Sequence, residues 1–318
     1  MKLLSFEEEG IARLGVLAPD GGIFDLSRRS GDPAFRSMQA FIEAGAEALA
    51  TAGRLLRDAA ETLDPARVRW RAPLQVPVQM RDFVAFEQHM RTAGWQVAKL
   101  REKLRGAAAP AEAPPIPPSW YQQPLYYKCN RFAVAGPDST VNWPGFSAWI
   151  DYELELACII GTGGRDIGGA DAPKHIFGYT IFNDLTARDA QFLEMQGPFG
   201  PAKGKDFDGA NVLGPVIVTA DEIDACRLTM QARVNGETWS AGSSSTMHWS
   251  FADMIAHVSR SETLHPGEVL GSGTVGGGCG LELGRFLKHG DLVELEISGI
   301  GRLATRISAP HVPTGVTL

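Results

Sequence analysis

IDYELELACIIG, residues 150–161, changes character halfway along. Asp151, Glu153 and Glu155 alternate with Tyr152, Leu154 and Leu156, and the run then stays apolar through Ala157, Cys158, Ile159 and Ile160. Successive side chains of a strand point to opposite faces. Glu153 and Glu155 therefore share one face, with Asp151 ahead of them on it, and Tyr152, Leu154 and Leu156 make a core face. ACII is apolar on both faces, as a central strand is. Taken alone, the alternation is that of an ordinary half-exposed strand. A buried strand ending in two same-face carboxylates has a second reading. Neighbouring like charges repel, and burying them unpaired is costly, whereas Mg²⁺, Ca²⁺ and Mn²⁺ take oxygen ligands and relieve that repulsion.

The 318 residues, 44% of them hydrophobic, suffice for one large domain with a smaller one beside it. Net charge is −7, which argues against nucleic acid as a partner, since phosphate neutralisation needs a basic face. No apolar run is long enough to span a membrane, and MKLLSFEEEGIARLG meets acidic residues too early for a signal peptide. Cys129, Cys158, Cys226 and Cys279 form no CxxC pair, so a thiolate zinc site is not expected. These features read as a reduced, cytoplasmic protein without a membrane segment.

The 36 glycines and many short strand-like runs point to a β-rich α+β chain. Residues 1–30 read as short strands around the PDGG turn, and residues 35–62 as a helix broken near Gly45. Together, residues 1–75 read as a small N-terminal accessory domain, and residues 76–318 as the main domain. Residues 82–105 read as helical. AAAPAEAPPIPP, within the 106–118 segment, has too few helix donors and too few anchoring side chains, so it is a spacer, insertion or lid. Residues 227–242 read as a hairpin turning at Asn235-Gly236, residues 250–264 as a helix capped by Ser250, and residues 287–307 as a further hairpin.

A cation needs more ligands than two. YTIFNDLTARDAQ (179–191) sets Asp184 directly after an apolar strand, which is also ordinary turn chemistry. RDFVAFEQHM (81–90) sets Asp82 and His89 seven residues apart, a spacing that on a helix returns nearly to one face. A histidine aligned with an acidic residue near a metal is a general-base candidate. GSGTVGGGCG (271–280) lacks the Gly-Lys-Ser/Thr of a phosphate loop and the context of a dinucleotide site.

The set D-F-x-x-x-x-x-H, D-x-E-x-E-L-A-x-x-I-G, N-D-x-x-A-R-D-x-Q, G-K-x-F-D and G-x-G-T, in this order across residues 78–310, resembles the fumarylacetoacetate hydrolase family, in its longer, true-hydrolase branch. The resemblance implies that family's mixed β-sandwich roll and, usually, a homodimer. It implies that Asp82, Glu153, Glu155 and Asp184 hold a divalent cation, Mg²⁺, Mn²⁺ or Ca²⁺. It further implies that His89 is the catalytic histidine, partnered by Glu282, and that Lys205 binds the developing enolate or oxyanion. Tyr127, Lys128, Arg188, Gln191 and Thr274 match positions near the substrate. The shorter branch places a glutamate three residues after its histidine, where this chain has Thr92. The arginine expected at the substrate carboxylate has no clear counterpart, Arg91 and Arg101 being the candidates.

The chemistry follows from the residue types. In a 1,3-dicarbonyl the leaving carbon departs as an enolate, and a divalent cation stabilises the charge as a Lewis acid. Water attack needs a base, which the resemblance makes His89 oriented by Glu282, and oxyanion donors, for which Lys205, Arg188 and Gln191 are candidates. The expected activity is a metal-dependent C–C hydrolase of an acylpyruvate or related diketone. The alternative is a 2-oxo acid decarboxylase, isomerase or hydratase using the same site. A binding protein with a leftover cation site fits poorly with base and oxyanion candidates both present.

Overall fold

A computed structural model describes residues 1–58 and 61–311. Its strands are β1 (Lys2–Glu8), β2 (Ile11–Leu17), β3 (Ile23–Asp25), β4 (Arg69–Arg71), β5 (Met80–Phe83), β6 (Tyr126–Lys128), β7 (Val134–Ala135), β8 (Ser139–Asn142), β9 (Ile150–Asp151), β10 (Leu154–Ile160), β11 (Ile176–Asp184), β12 (Thr186–Ala187), β13 (Asn211–Thr219), β14 (Thr229–Val234), β15 (Glu237–Ser243), β16 (Val269–Gly271), β17 (Leu292–Ile297) and β18 (Gly301–Ser308). The helices are α1 (Leu26–Arg29), α2 (Met38–Arg57), α3 (Glu87–Leu104), α4 (Arg188–Glu194), α5 (Phe251–Val258) and α6 (Gly280–Leu283).

An eleven-stranded mixed sheet runs β3-β2-β1-β13-β11-β10-β16-β5-β6, with β4 also on β1 and β7 on β13. A five-stranded sheet runs β15-β14-β17-β18-β8, and β9 pairs with β12. The alternation along β10 decides how these layers stack. Leu154, Leu156, Cys158 and Ile160 face a core shared with Ala232, Val293, Leu295 and Leu303 of the smaller sheet and with α5. Ala157 and Ile159 face the other way, toward a second core that contains Phe41, Ile42 and Ala52 of α2. Because β10 lies between β11 and β16, both of its faces are buried, as its unbroken apolar run requires. This β-rich α+β sandwich is the fold class expected from the chain.

The N-terminal segment joins the large sheet through β1, which pairs with β13 in the register Lys2↔Val218 and Leu3↔Ile217. The bend in α2 falls at Gly45, whose φ of 61° suits a residue without a Cβ. That helix ends at Arg57 rather than 62, and residues 59–60 of the expected span lie outside the described residues, as do residues 312–318 at the end of the expected main domain. The 227–242 hairpin turns through Asn235 (φ 52°) and Gly236 (φ 82°) as its sequence requires.

Two further helix boundaries differ from expectation. Residues 82–105 are not one helix: Asp82 belongs to β5, and α3 starts only at Glu87. The intervening backbone is held extended by outside partners, Val84 N–H donating to Leu125 and Ala85 N–H to Ser272. α5 carries the expected cap, with Ser250 and Asp253 satisfying each other's amides. It stops at Val258 rather than 264, because Ser259 Oγ accepts from Ile167 N–H and Ser261, at a φ of 56°, turns its N–H to Asp166. Among the described residues no helix is long and apolar enough to cross a membrane. Cys129, Cys158 and Cys279 are buried free thiols and Cys226 is an exposed one.

Candidate active site

Four carboxylates converge at one end of the large sheet. Asp82 comes from β5, Glu155 from β10, Asp184 from the last residue of β11, and Glu153 from an isolated bridge to Cys279 just before β10. Each offers an oxygen within 4.8 Å of the others'. Gly271 of β16 lies between β10 and β5, opposite both Ala157 and Asp82. A Cβ at 271 would overlap Asp82 Oδ1 and sit 3.1 Å from Glu155 Oε2. The glycine is therefore what lets the two carboxylates approach each other across an intervening strand. Sequence reasoning missed it, because a glycine's service to neighbouring strands leaves no mark on its own spacing.

Burial and the mutual repulsion of the carboxylates dominate the electrostatics, with Lys205 and Arg188 opposing them. Burial pushes Asp184 up to about 8, offset in part by the Lys205 ammonium. Burial likewise raises Asp82 to about 6. Glu155 stands well above the usual carboxylate range, from burial and then from its acidic neighbours Asp82, Asp184 and Glu153. Glu153 goes the other way. Burial opposes its charge, but Arg188 and Lys205 together outweigh that and lower its pKa. Glu155 Oε2 and Asp184 Oδ1 are buried with no hydrogen-bond donor among the described residues. Converging carboxylates with orphaned oxygens form a hard oxygen set that fits Mg²⁺, Mn²⁺ or Ca²⁺.

Lys205 Nζ donates to Glu153 Oε2 at 2.5 Å and also to Asp184 Oδ2. An ammonium has three donors, so one N–H is left for another acceptor. Tyr127 OH donates to Asp184 Oδ2 at 2.7 Å. Gly273 N–H donates to Asp82 Oδ1 at 3.1 Å, and Thr274 Oγ1 reaches Glu155 Oε1 at 3.4 Å.

A second group faces the same region. His89 Nδ1 lies 2.7 Å from Glu282 Oε1. A carboxylate only accepts, so Nδ1 carries the hydrogen and Nε2 is the free base nitrogen. Burial works against the charged imidazole, but the Glu282 charge and hydrogen bond outweigh it, and the His89 pKa is raised. Glu282 is fixed in turn by Gly277 N–H at 3.0 Å. Cys279 Sγ stands 3.6 Å from the same carboxylate, and burial keeps it a thiol that can donate.

Both groups open on a cleft of about 650 Å³ whose walls include Asp82, Glu153, Glu155, His89, Lys205 and Thr274. Asp82 and His89 meet there from a strand and a helix, not from one helical face. Tyr127, Lys128 and Gln191 also line it, as do Met90, Leu125 and Pro117, the last at the end of the 106–118 segment. That segment is mostly exposed, with Ile116 buried. Arg188 lies behind the cleft. Its Nε donates to Asp151 at 2.7 Å, its Nη2 to Glu153 at 2.7 Å and its Nη1 to Gln191 at 2.9 Å. Arg91 pairs with Glu87 at 2.7 Å on the exposed face of α3, and Arg101 is exposed near its end, so neither reaches the cleft.

The chain matches the model of the fumarylacetoacetate (FAA) hydrolase C-terminal domain over residues 80–308. A solved fumarylacetoacetate hydrolase from the psychrophilic Exiguobacterium antarcticum is 31% identical, with a TM-score of 0.75 over 97% of this chain and 99% of that one. A Burkholderia ambifaria protein whose name goes no further than hydrolase is 32% identical over 95% of this chain and 96% of its own. The oxaloacetate tautomerase YisK of Bacillus subtilis is 41% identical over 189 residues, 58% of this chain and 62% of that one.

Proposed function

The chain belongs to the fumarylacetoacetate hydrolase family, and from that premise we propose that it is a divalent-metal-dependent hydrolase of a 1,3-dicarbonyl 2-oxo acid of acylpyruvate type. The observation that carries the proposal is His89, bonded to Glu282, lining the same cleft as Asp82, Glu153 and Glu155 of the four-carboxylate cluster. Proton transfer alone does not need a water-activating pair placed beside a cation site, whereas hydrolysis does.

Asp82, Glu153, Glu155 and Asp184 would hold the cation, which when bound supplies Lewis-acid stabilisation of the charge developing on the dicarbonyl oxygens. Nε2 of His89 takes a proton from water while Glu282 steadies the imidazolium. The hydroxide adds to the acyl carbonyl distal to the carboxylate. The bond between that carbon and the central methylene then breaks, and its electron pair passes into the pyruvate enolate. His89 returns the proton to the enolate carbon, so one water and one acylpyruvate give one carboxylic acid and one pyruvate. The remaining N–H of Lys205 and the amide of Gln191 are the donors available to the oxyanion.

Purified protein loaded with Mn²⁺ or Mg²⁺ is expected to release pyruvate and a carboxylic acid from a simple acylpyruvate. His89→Ala is expected to lower kcat by about 10²–10⁴-fold. Absence of cleavage across a panel of 2,4-dioxo acids refutes hydrolysis. The 41% identity to a tautomerase supports a second reading, enol–keto conversion of a 2-oxo acid at the same carboxylates. Under that reading, oxaloacetate enol is consumed without any C–C cleavage. Exposed Phe132, Phe146 and Leu193, which do not line the cleft, would suit a homodimer interface, which light scattering of the purified protein tests.

A further inference from the structure

Asp151 does not line the cleft, yet it is fully buried and all its acceptor capacity is used. Oδ1 accepts from Tyr152 N–H at 2.9 Å and Gly280 N–H at 2.7 Å. Oδ2 accepts from Leu281 N–H at 2.9 Å and Arg188 Nε at 2.7 Å. These partners lead in two directions. Through Arg188 Nη2 the chain of contacts reaches Glu153, a carboxylate of the cation site. Through Gly280 and Leu281 it reaches the next residue, Glu282, which holds His89. We infer that Asp151 is a positioning residue that sets the cation-binding carboxylates and the His89–Glu282 pair in a fixed relation to each other.

Two observations argue against a merely stabilising contact. A buried ion pair is often no more stabilising than an apolar replacement, so net stability does not by itself account for the Asp151–Arg188 pair. Gly280 is also shaped for Asp151. A Cβ there would lie 2.5 Å from Asp151 Oδ1 and overlap the Arg285 carbonyl, so the missing side chain is what lets the carboxylate seat against α6. The inference rests on the proposed function only in assigning Glu153 to the cation and Glu282 to the base.

Two variants separate the arms. Asp151→Asn sets an amide donor against the donors of Arg188 and Leu281 or against those of Tyr152 and Gly280, and removes the charge that Arg188 faces, so it disturbs both arms. Gly280→Ala leaves every charge in place and acts first on the α6 arm, where its Cβ meets the Arg285 carbonyl and Asp151 Oδ1. Two readouts need no substrate: Mn²⁺ affinity by calorimetry, and the His89 imidazole titration by NMR. Asp151→Asn is expected to weaken Mn²⁺ about tenfold or more and to lower the His89 midpoint by about half a pH unit or more as Glu282 loosens. Gly280→Ala is expected to shift the His89 midpoint with Mn²⁺ affinity kept within about twofold. If Asp151→Asn does not fold, Gly280→Ala carries the test. Wild-type Mn²⁺ affinity and His89 titration in a folded variant, with only the melting temperature lowered, overturn the inference. Failure of wild-type protein to cleave any 2,4-dioxo acid would refute the proposed reaction and leave both readouts standing.

Discussion

Gly271 separates the strands that carry Glu155 and Asp82, and its lack of a Cβ sets how near those carboxylates come. Gly271→Ala should leave the circular dichroism spectrum unchanged and weaken Mn²⁺ binding by at least about tenfold, or about 1.4 kcal/mol, in a calorimetric titration. His89 makes a prediction about pH. Its pKa is raised, so the protonated form persists to higher pH than in a free imidazole, and a base must be unprotonated to act. Activity should therefore fall as pH drops through that raised value. Glu282→Gln should move the acid limb of kcat to lower pH while reducing its plateau, which a pH–rate profile checks. Glu153, Glu155 and Asp184 could be singled out because each flanks an apolar run that announces a strand. Asp151 sits in the same stretch, but its partners Gly280, Leu281 and Arg188 are brought in by two distant segments. No spacing along the chain records that meeting.

Strand β5 and helix α3 show where local reading stops being sufficient. Nothing in DFVAFEQH forbids a helix from Asp82 onward, and only contacts from elsewhere prevent one. Val84 and Ala85 donate to Leu125 and Ser272, while Trp120 Nε1 donates to Val84 O at 2.6 Å and His248 N–H to Ala85 O at 2.9 Å. This clamp sets the offset between Asp82 and His89. Trp120→Phe keeps an aromatic side chain but strands the Val84 carbonyl and leaves part of the indole's volume empty, a loss of at least about 1–3 kcal/mol of stability. Denaturant unfolding should show a lower midpoint with an unchanged slope. By contrast, the Asn235-Gly236 hairpin, the Gly45 bend and the Ser250 cap follow from two to four adjacent residues, and all three form where the sequence puts them.

Across the molecule, folding gathers four carboxylates whose charge Lys205 and Arg188 offset only in part. Asp184 at about 8 and Asp82 at about 6 hold protons that the unfolded chain would release near 4. Their folded pKa values lie above the unfolded ones, so in metal-free protein their contribution to stability falls as pH rises through that window. A cation competes with those protons, so its affinity should climb from pH 6 to 8. The gap in melting temperature between Mn²⁺-loaded and chelator-treated protein should widen over the same range, with about 2.7 kcal/mol gained at a hundredfold excess over Kd. The pairing of β1 with β13 also bears on how the chain is made. Strand β1 ends at Glu8 and its neighbour begins at Asn211, so the N-terminal hairpin leaves the ribosome long before the strand that completes its hydrogen bonding. At about 5–20 residues per second the wait is roughly 10–40 seconds. For that interval Lys2 and Leu3 lack their β13 partners, while β4 covers the same edge only at Ser5–Glu7, which leaves a short open β edge on the nascent chain for chaperones to shield.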